Sequence, residues 1–142
     1  MSDAQPSTSR SSESSPHSGR ILLVEDDAHI AEGIQFNLEQ ESYQVEVAGD
    51  GRSAVEQLAD SVDNPFDLVI LDLVMPGASG LEVLAKIRSD PKRGSVPVII
   101  LTAKGQDTDR QAALAGGADD FLTKPFSPKK LVARIREILD DG

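Results

Sequence analysis

A chain of 142 residues with a formal charge of −10 and no cysteine has room for one domain and a tail. The missing cysteines exclude a disulfide framework and any thiolate metal site. The acidic balance argues against unspecific nucleic-acid binding, which needs lysine and arginine to displace phosphate counterions.

Residues 1–19 are crowded with serine, carry Pro6 and Pro16, and offer Ala4 as the one apolar side chain beyond Met1. Such a stretch cannot bury enough surface to offset its ordering entropy, so a disordered tail over 1–19 and a folded domain over 20–142 are expected. The sequence has no apolar core of signal-peptide length and no run approaching a membrane span. A soluble, cytoplasmic protein without membrane contact is the expectation.

From Arg20 onward short apolar runs alternate with helical patterns. The first predicted strand, 20–24, is followed by a helix over 28–41, in which Ile30, Ile34 and Leu38 recur at four-residue spacing. A strand at 44–48 alternates as an edge strand does, and a helix at 52–61 follows. The strand at 67–72 is apolar from Leu68 to Leu71 before its terminal acid, and leads to a helix over 80–89 carrying Leu81, Leu84 and Ile87. A strand at 96–101 precedes a helix over 107–115, which Gly116-Gly117 closes. The last strand, 119–122, is short, and the last helix, 128–140, presents Leu131, Ile135, Ile138 and Leu139. The near-continuous apolar first, third and fourth strands suit positions buried on both faces. Five βα units of this kind predict an α/β, doubly wound, five-stranded parallel sheet with its crevice at the carboxyl ends of the strands.

Chemistry gathers at that edge. Glu25, Asp26 and Asp27 follow the first strand, and Asp72 ends the third. Carboxylates crowded to 4 Å repel by roughly 4 kcal/mol per pair at an effective dielectric near 20, and a hard divalent cation is the usual remedy. Thr102 follows the fourth strand and Lys124 the fifth. Carboxylates to hold Mg2+, an ammonium to neutralise phosphoryl oxygens and a hydroxyl to bond them make a plausible phosphoryl site. Each member has a plainer reading when taken alone. Asp27, directly before Ala28, reads as a helix N-cap; Thr102 is a strand-end hydroxyl, and Lys124 a solvated loop lysine.

Residues 20–140 resemble the receiver domain of bacterial two-component response regulators, the CheY-like group. The resemblance is carried by ILLVEDD (21–27), LVILDLVMPGASG (68–80), VPVIILTA (96–103) and GADDFLTKPFSPKKLVARI (117–135). It implies a flavodoxin-like sheet of order 2-1-3-4-5 that accepts a phosphoryl group from a histidine kinase or phosphotransfer protein, a signalling module rather than a turnover enzyme. In that reading Asp72 is the phospho-accepting nucleophile. Mg2+ is bound by Asp26 and Asp72, by Glu25 through water, and by the backbone carbonyl of Val74. Thr102 is the switch hydroxyl, Phe121 the switch aromatic and Lys124 the phosphoryl partner, with a cis Lys124–Pro125 peptide. Phe121 has a second reading as a core aromatic.

Phosphorylation is then expected to draw in Thr102 and turn Phe121 inward, altering the face made by the fourth helix, fifth strand and fifth helix. Moving such an equilibrium from 1:99 to 99:1 takes about 5.5 kcal/mol, more than one hydrogen bond supplies, so a partner is expected to complete the switch. Val74 and Lys104 lie two residues beyond Asp72 and Thr102. Valine cannot orient an attacking water, so self-catalysed dephosphorylation should be slow.

The last third resembles receivers joined to winged-helix DNA-binding domains, which dimerise through three cross-subunit charge pairs. Asp120 and Arg134 preserve one of these; Arg110 would face Lys130, and Arg136 would face Ala115. Because like charges oppose such a contact, a monomer or weak dimer is expected. The sequence ends at Gly142 without a helix-turn-helix pattern. A stand-alone receiver acting on an unknown downstream protein target, without direct nucleic-acid binding, is therefore expected. A Mg2+-dependent aspartyl hydrolase would want an acid where Val74 stands. A flavin or nucleotide site would want a glycine-rich loop where Glu25-Asp26-Asp27 stands. A phosphorylation-independent binding module would not need the full acid–Thr–Lys set.

Overall fold

The computed structural model describes residues 19–61, 63–75, 78–92, 94–103, 107–124 and 126–141. The tail expected over 1–19 lies outside them except for Gly19, which opens the first strand; Lys104 and the expected cis peptide at Pro125 also fall outside.

The elements run β1 (Gly19–Val24), α1 (Ala28–Gln40), β2 (Tyr43–Ala48), α2 (Gly51–Ala59) and β3 (Leu68–Asp72). Two short strands follow, β4 (Val74–Met75) and β5 (Ala78–Ser79), then α3 (Gly80–Arg88), β6 (Val98–Ala103), α4 (Asp107–Ala115), β7 (Asp120–Lys124) and α5 (Pro128–Asp141). Five strands form one parallel sheet in the order β2-β1-β3-β6-β7. This is the expected 2-1-3-4-5 arrangement. The antiparallel β4–β5 pair is separate from it, and no period-two pattern in so short a stretch announces it.

Alternation along the strands divides the interior in two. Leu22, Val24, Val69, Leu71, Val98 and Ile100 pack on the side covered by α2, α3 and α4. Ile21, Leu23, Leu68, Ile70, Ile99 and Leu101 pack on the side covered by α1 and α5. All twelve side chains are fully buried, and each contributes roughly 1.5–3 kcal/mol of transfer free energy. This is why β1, β3 and β6 read as unbroken apolar runs.

The helices begin and end where local chemistry dictates. Asp27 caps α1, its carboxylate accepting from His29 N at 2.9 Å and Ile30 N at 3.1 Å. Asp50 caps α2 through Ser53 N, and Ser127 caps α5 through Lys129 N. The end of α4 is a Schellman turn: Ala118 N donates to Ala113 O, Gly117 N donates to Leu114 O, and Gly117 has φ +104°. In α1, Ile34 and Leu38 are buried as expected, but Ile30 is 39% exposed and Ala31 takes the inward place. Residues spaced by four drift around a helix of 3.6 residues per turn, so a third member leaves the stripe.

Candidate phosphoryl and metal site

β3 is the central strand, and its final residue, Asp72, emerges at the carboxyl edge of the sheet. Two bonds hold the backbone beside it: Leu73 N donates to Leu101 O at 3.0 Å, and Glu25 N donates to Ala48 O at 3.0 Å. The ladders thus continue one residue past β1 and β3. Gly80 lets the chain close over this edge, since a Cβ there would stand 2.6 Å from Leu73 Cα.

Glu25 and Asp72 are buried, and Asp26 is exposed. Their carboxylate oxygens come within 4.8 Å of one another. At that spacing two like charges repel by about 3 kcal/mol at an effective dielectric of 20. Lys124 answers part of this, its ammonium donating to Asp72 Oδ2 at 2.8 Å and standing 3.6 Å from Glu25 Oε1. Burial pushes the Glu25 carboxyl up to about 7, against the Asp27 backbone N–H that favours its charged form; the nearby Asp72 charge raises it further. Burial alone would lower the Lys124 ammonium, but the hydrogen bond and charge of Asp72 outweigh it and hold the group above its ordinary value.

One ammonium cannot neutralise three carboxylates, and Glu25 Oε1 is buried without a hydrogen bond among the described residues. An all-oxygen set with excess negative charge suits a hard divalent cation such as Mg2+. Val74, the fourth expected ligand, begins β4 two residues beyond Asp72.

Thr102 is fully buried and lies within β6, one residue before its end. Its hydroxyl stands 3.4 Å from that of Thr123, its register partner on β7. Phe121, half-buried, packs against the α2–α3–α4 side of the core, and the Arg110 guanidinium carbon lies 4.8 Å from its ring centroid. Thr123 and Arg110 had no place in the expected site. Thr123 could have been found from its parity with Phe121 and its pairing with Thr102; nothing in the spacing of Arg110 points to the ring.

A buried carboxylate beside a lysine, two further acids and a buried hydroxyl, at the carboxyl edge of a 2-1-3-4-5 sheet, defines the receiver class of signalling module. Residues 21–136 match the response regulator receiver domain family, and the chain belongs to it. It is 46% identical over 121 residues to the phosphate regulon transcriptional regulatory protein PhoB of Klebsiella pneumoniae, covering 84% of this chain and 51% of that protein. It is 43% identical over 122 residues to the sensory transduction protein RegX3 of Mycolicibacterium smegmatis, covering 86% and 51%. Among solved structures, the receiver domain of Francisella response regulator 1452 superposes with a TM-score of 0.77 at 31% identity, covering 87% of this chain and 98% of that one. The Vibrio cholerae chemotaxis protein CheY4 superposes at 0.76 with 30% identity, covering 85% and 98%.

The chain spans about half the length of the curated relatives it matches. This corrects the expected partners: a stand-alone monomer or weak dimer with an unknown protein target and no nucleic-acid binding. PhoB is by name a transcriptional regulatory protein. The net charge of −10 is that of these 142 residues, and a regulator's phosphate contacts are made by the lysines and arginines of the segment that meets the nucleic acid, so it does not decide the question. The Asp120–Arg134 pair, expected across subunits, closes within one chain at 3.1 Å. Among the described residues no helix is long and apolar enough to cross a membrane.

Proposed function

We propose that this receiver, spanning residues 20–142, takes a phosphoryl group onto Asp72 from a histidine kinase or phosphotransfer protein in the cytoplasm. Its phosphorylation state would set a transcriptional output, as the names of its longer relatives suggest. The observation that carries the reading is the 2.8 Å contact between the Lys124 ammonium and Asp72 Oδ2, beside the acids of the β1 edge.

In the transfer, an Asp72 carboxylate oxygen attacks phosphorus. The new O–P bond forms as the N–P bond to the donor imidazole breaks, and the imidazole nitrogen leaves with that electron pair. Lys124 stays bound at the acceptor and meets the negative charge on the phosphoryl oxygens. Asp26 and Asp72, with Glu25 through water and the Val74 carbonyl, would hold Mg2+, which when bound neutralises the remaining charge on the transferring group. Thr102 then donates its hydroxyl to a phosphoryl oxygen, and Phe121 follows toward the space it leaves. The same site supports phosphorylation by small phosphodonors and slow self-catalysed dephosphorylation.

The test is incubation with acetyl phosphate and Mg2+, read by intact mass. One phosphoryl adduct on the wild type and none on Asp72→Ala is expected. An adduct on both, or steady phosphate release at high turnover, overturns the reading.

A further inference from the structure

Arg88, the last residue of α3, forms five hydrogen bonds, as many as a guanidinium has donors. Nε and Nη2 both reach Gly117 O, at 3.0 and 2.6 Å. Nη1 reaches Gly94 O at 2.8 Å and Val96 O at 2.6 Å, and Nη2 also reaches Asp119 Oδ2 at 3.2 Å. One side chain thus joins the end of α3, the approach to β6, the end of α4 and the approach to β7. We propose that Arg88 is a positioning residue that pins the C-terminal end of α4, making Gly117 the pivot about which that helix swings when Asp72 is phosphorylated. The inference rests on the phosphoryl-acceptor reading of Asp72 given above.

Two further observations build the pivot. Asp119, held by Arg88, also accepts from Val98 N at 2.8 Å, while its own N–H donates to Val98 O at 2.9 Å. The clamp is therefore anchored at the entrance to the β6–β7 pairing, where exposed Asp119, just before β7, is tied by two hydrogen bonds to buried Val98, the first residue of β6. Gly117 is shaped to it: a Cβ there would lie 2.8 Å from Arg88 Nε, and its φ of +104° closes the Schellman turn.

The switch residues act on the other half of the helix. Arg110, the fourth residue of α4, covers the Phe121 ring, and the chain enters α4 from β6, which carries Thr102. A rod held at one end and displaced at the other rotates. Movements of Thr102 and Phe121 would so be converted into a tilt of α4 rather than a sliding of the whole helix.

Backbone amide exchange, measured residue by residue by NMR on the full chain with Mg2+ and with or without acetyl phosphate, tests this. Intact mass confirms the adduct on the same sample. In the wild type, phosphorylation should change exchange at Gln111 and Ala112 by about tenfold, and at Gly117 and Ala118 by less than about twofold. Arg88→Lys keeps a cation for Asp119 but cannot span the carbonyls; in it, Gly117 and Ala118 should respond as strongly as Gln111. The readout is a contrast between the middle of the helix and the turn that closes it, which a uniform loss of stability does not alter.

Equal responses at both places in the wild type overturn the pivot, as does an Arg88→Lys protein that keeps the wild-type contrast. Should Arg88→Lys fail to fold, the wild-type contrast alone decides. Failure to form any adduct overturns the acceptor reading and the pivot with it, whereas an adduct with a uniform response overturns the pivot alone.

Discussion

Lys124 Nζ and Asp72 Oδ2, 52 positions apart in sequence, meet at 2.8 Å because β7 and β3 flank the same neighbour, β6. The contact holds two buried acids near one partly exposed cation. Lys124→Met should remove the cation beside Glu25 and Asp72 and destabilise the metal-free protein by about 2–3 kcal/mol, below the full cost of breaking a wholly buried pair. Urea unfolding checks this, and Mg2+ should recover part of the loss. A variant as stable as the wild type without Mg2+ would show the pair to be energetically idle.

Mg2+ itself should stabilise the fold. At ten times its dissociation constant, a ligand specific for the native state adds about 1.4 kcal/mol, equivalent to about 4 °C in melting temperature for a domain of this size. Asp26→Asn removes one exposed carboxylate from the cluster and should abolish most of that shift with little effect on the metal-free melting temperature. An equal Mg2+ response in the variant would place the ion elsewhere.

With Asp72 as the phosphoryl acceptor, Val74 would bear on how long the signal lasts. An amide two residues beyond the acceptor could hold a water that valine cannot, so Val74→Asn should speed loss of the phosphoryl group up to about tenfold by positioning the attacking water. The decay of the adduct, followed by mass after removal of the donor, measures this. Unchanged or slower decay would count against it.

Backbone strain gives a pair of predictions with opposite signs. Ser42, just beyond α1, has φ +74°, which costs a non-glycine residue roughly 1–2 kcal/mol. Ser42→Gly relieves that strain at some entropic cost and should stabilise by about 0.5–1 kcal/mol. Gly117→Ala should destabilise by about 2 kcal/mol, since it adds the same strain and displaces Arg88. Denaturant midpoints of the two variants should move in opposite directions.

Most of this architecture is legible in the sequence, for a physical reason. β1, β3 and β6 are buried on both faces, so Ile21–Val24, Leu68–Leu71 and Val98–Leu101 are continuous apolar runs, and Asp72, the acid that ends β3, is conspicuous. Strand limits were less legible. The strand expected over 96–101 is Val98–Ala103; Pro97 has no N–H to give, although its carbonyl accepts from Val69 N. Thr102 and Ala103 remain in the strand because Thr123 and Lys124 pair with them, a long-range fact that local composition does not contain. The grip of Arg88 on Gly117 was likewise hidden, since it depends on backbone carbonyls, which every residue has.

The strict alternation of β6 and β7 has one more consequence. Asp72 and Lys124 share the parity of the residues facing α1 and α5, whereas Thr102 and Phe121 share that of the residues facing α4. The acid and its lysine thus share one side of a single layer, and the buried hydroxyl and the aromatic share the other. A one-residue insertion ahead of Phe121 in β7 would turn Lys124 toward α4 and Phe121 toward α1 and α5, parting the lysine from Asp72 and the ring from Arg110. The length of β7 is therefore more tightly constrained than that of the loops beside it.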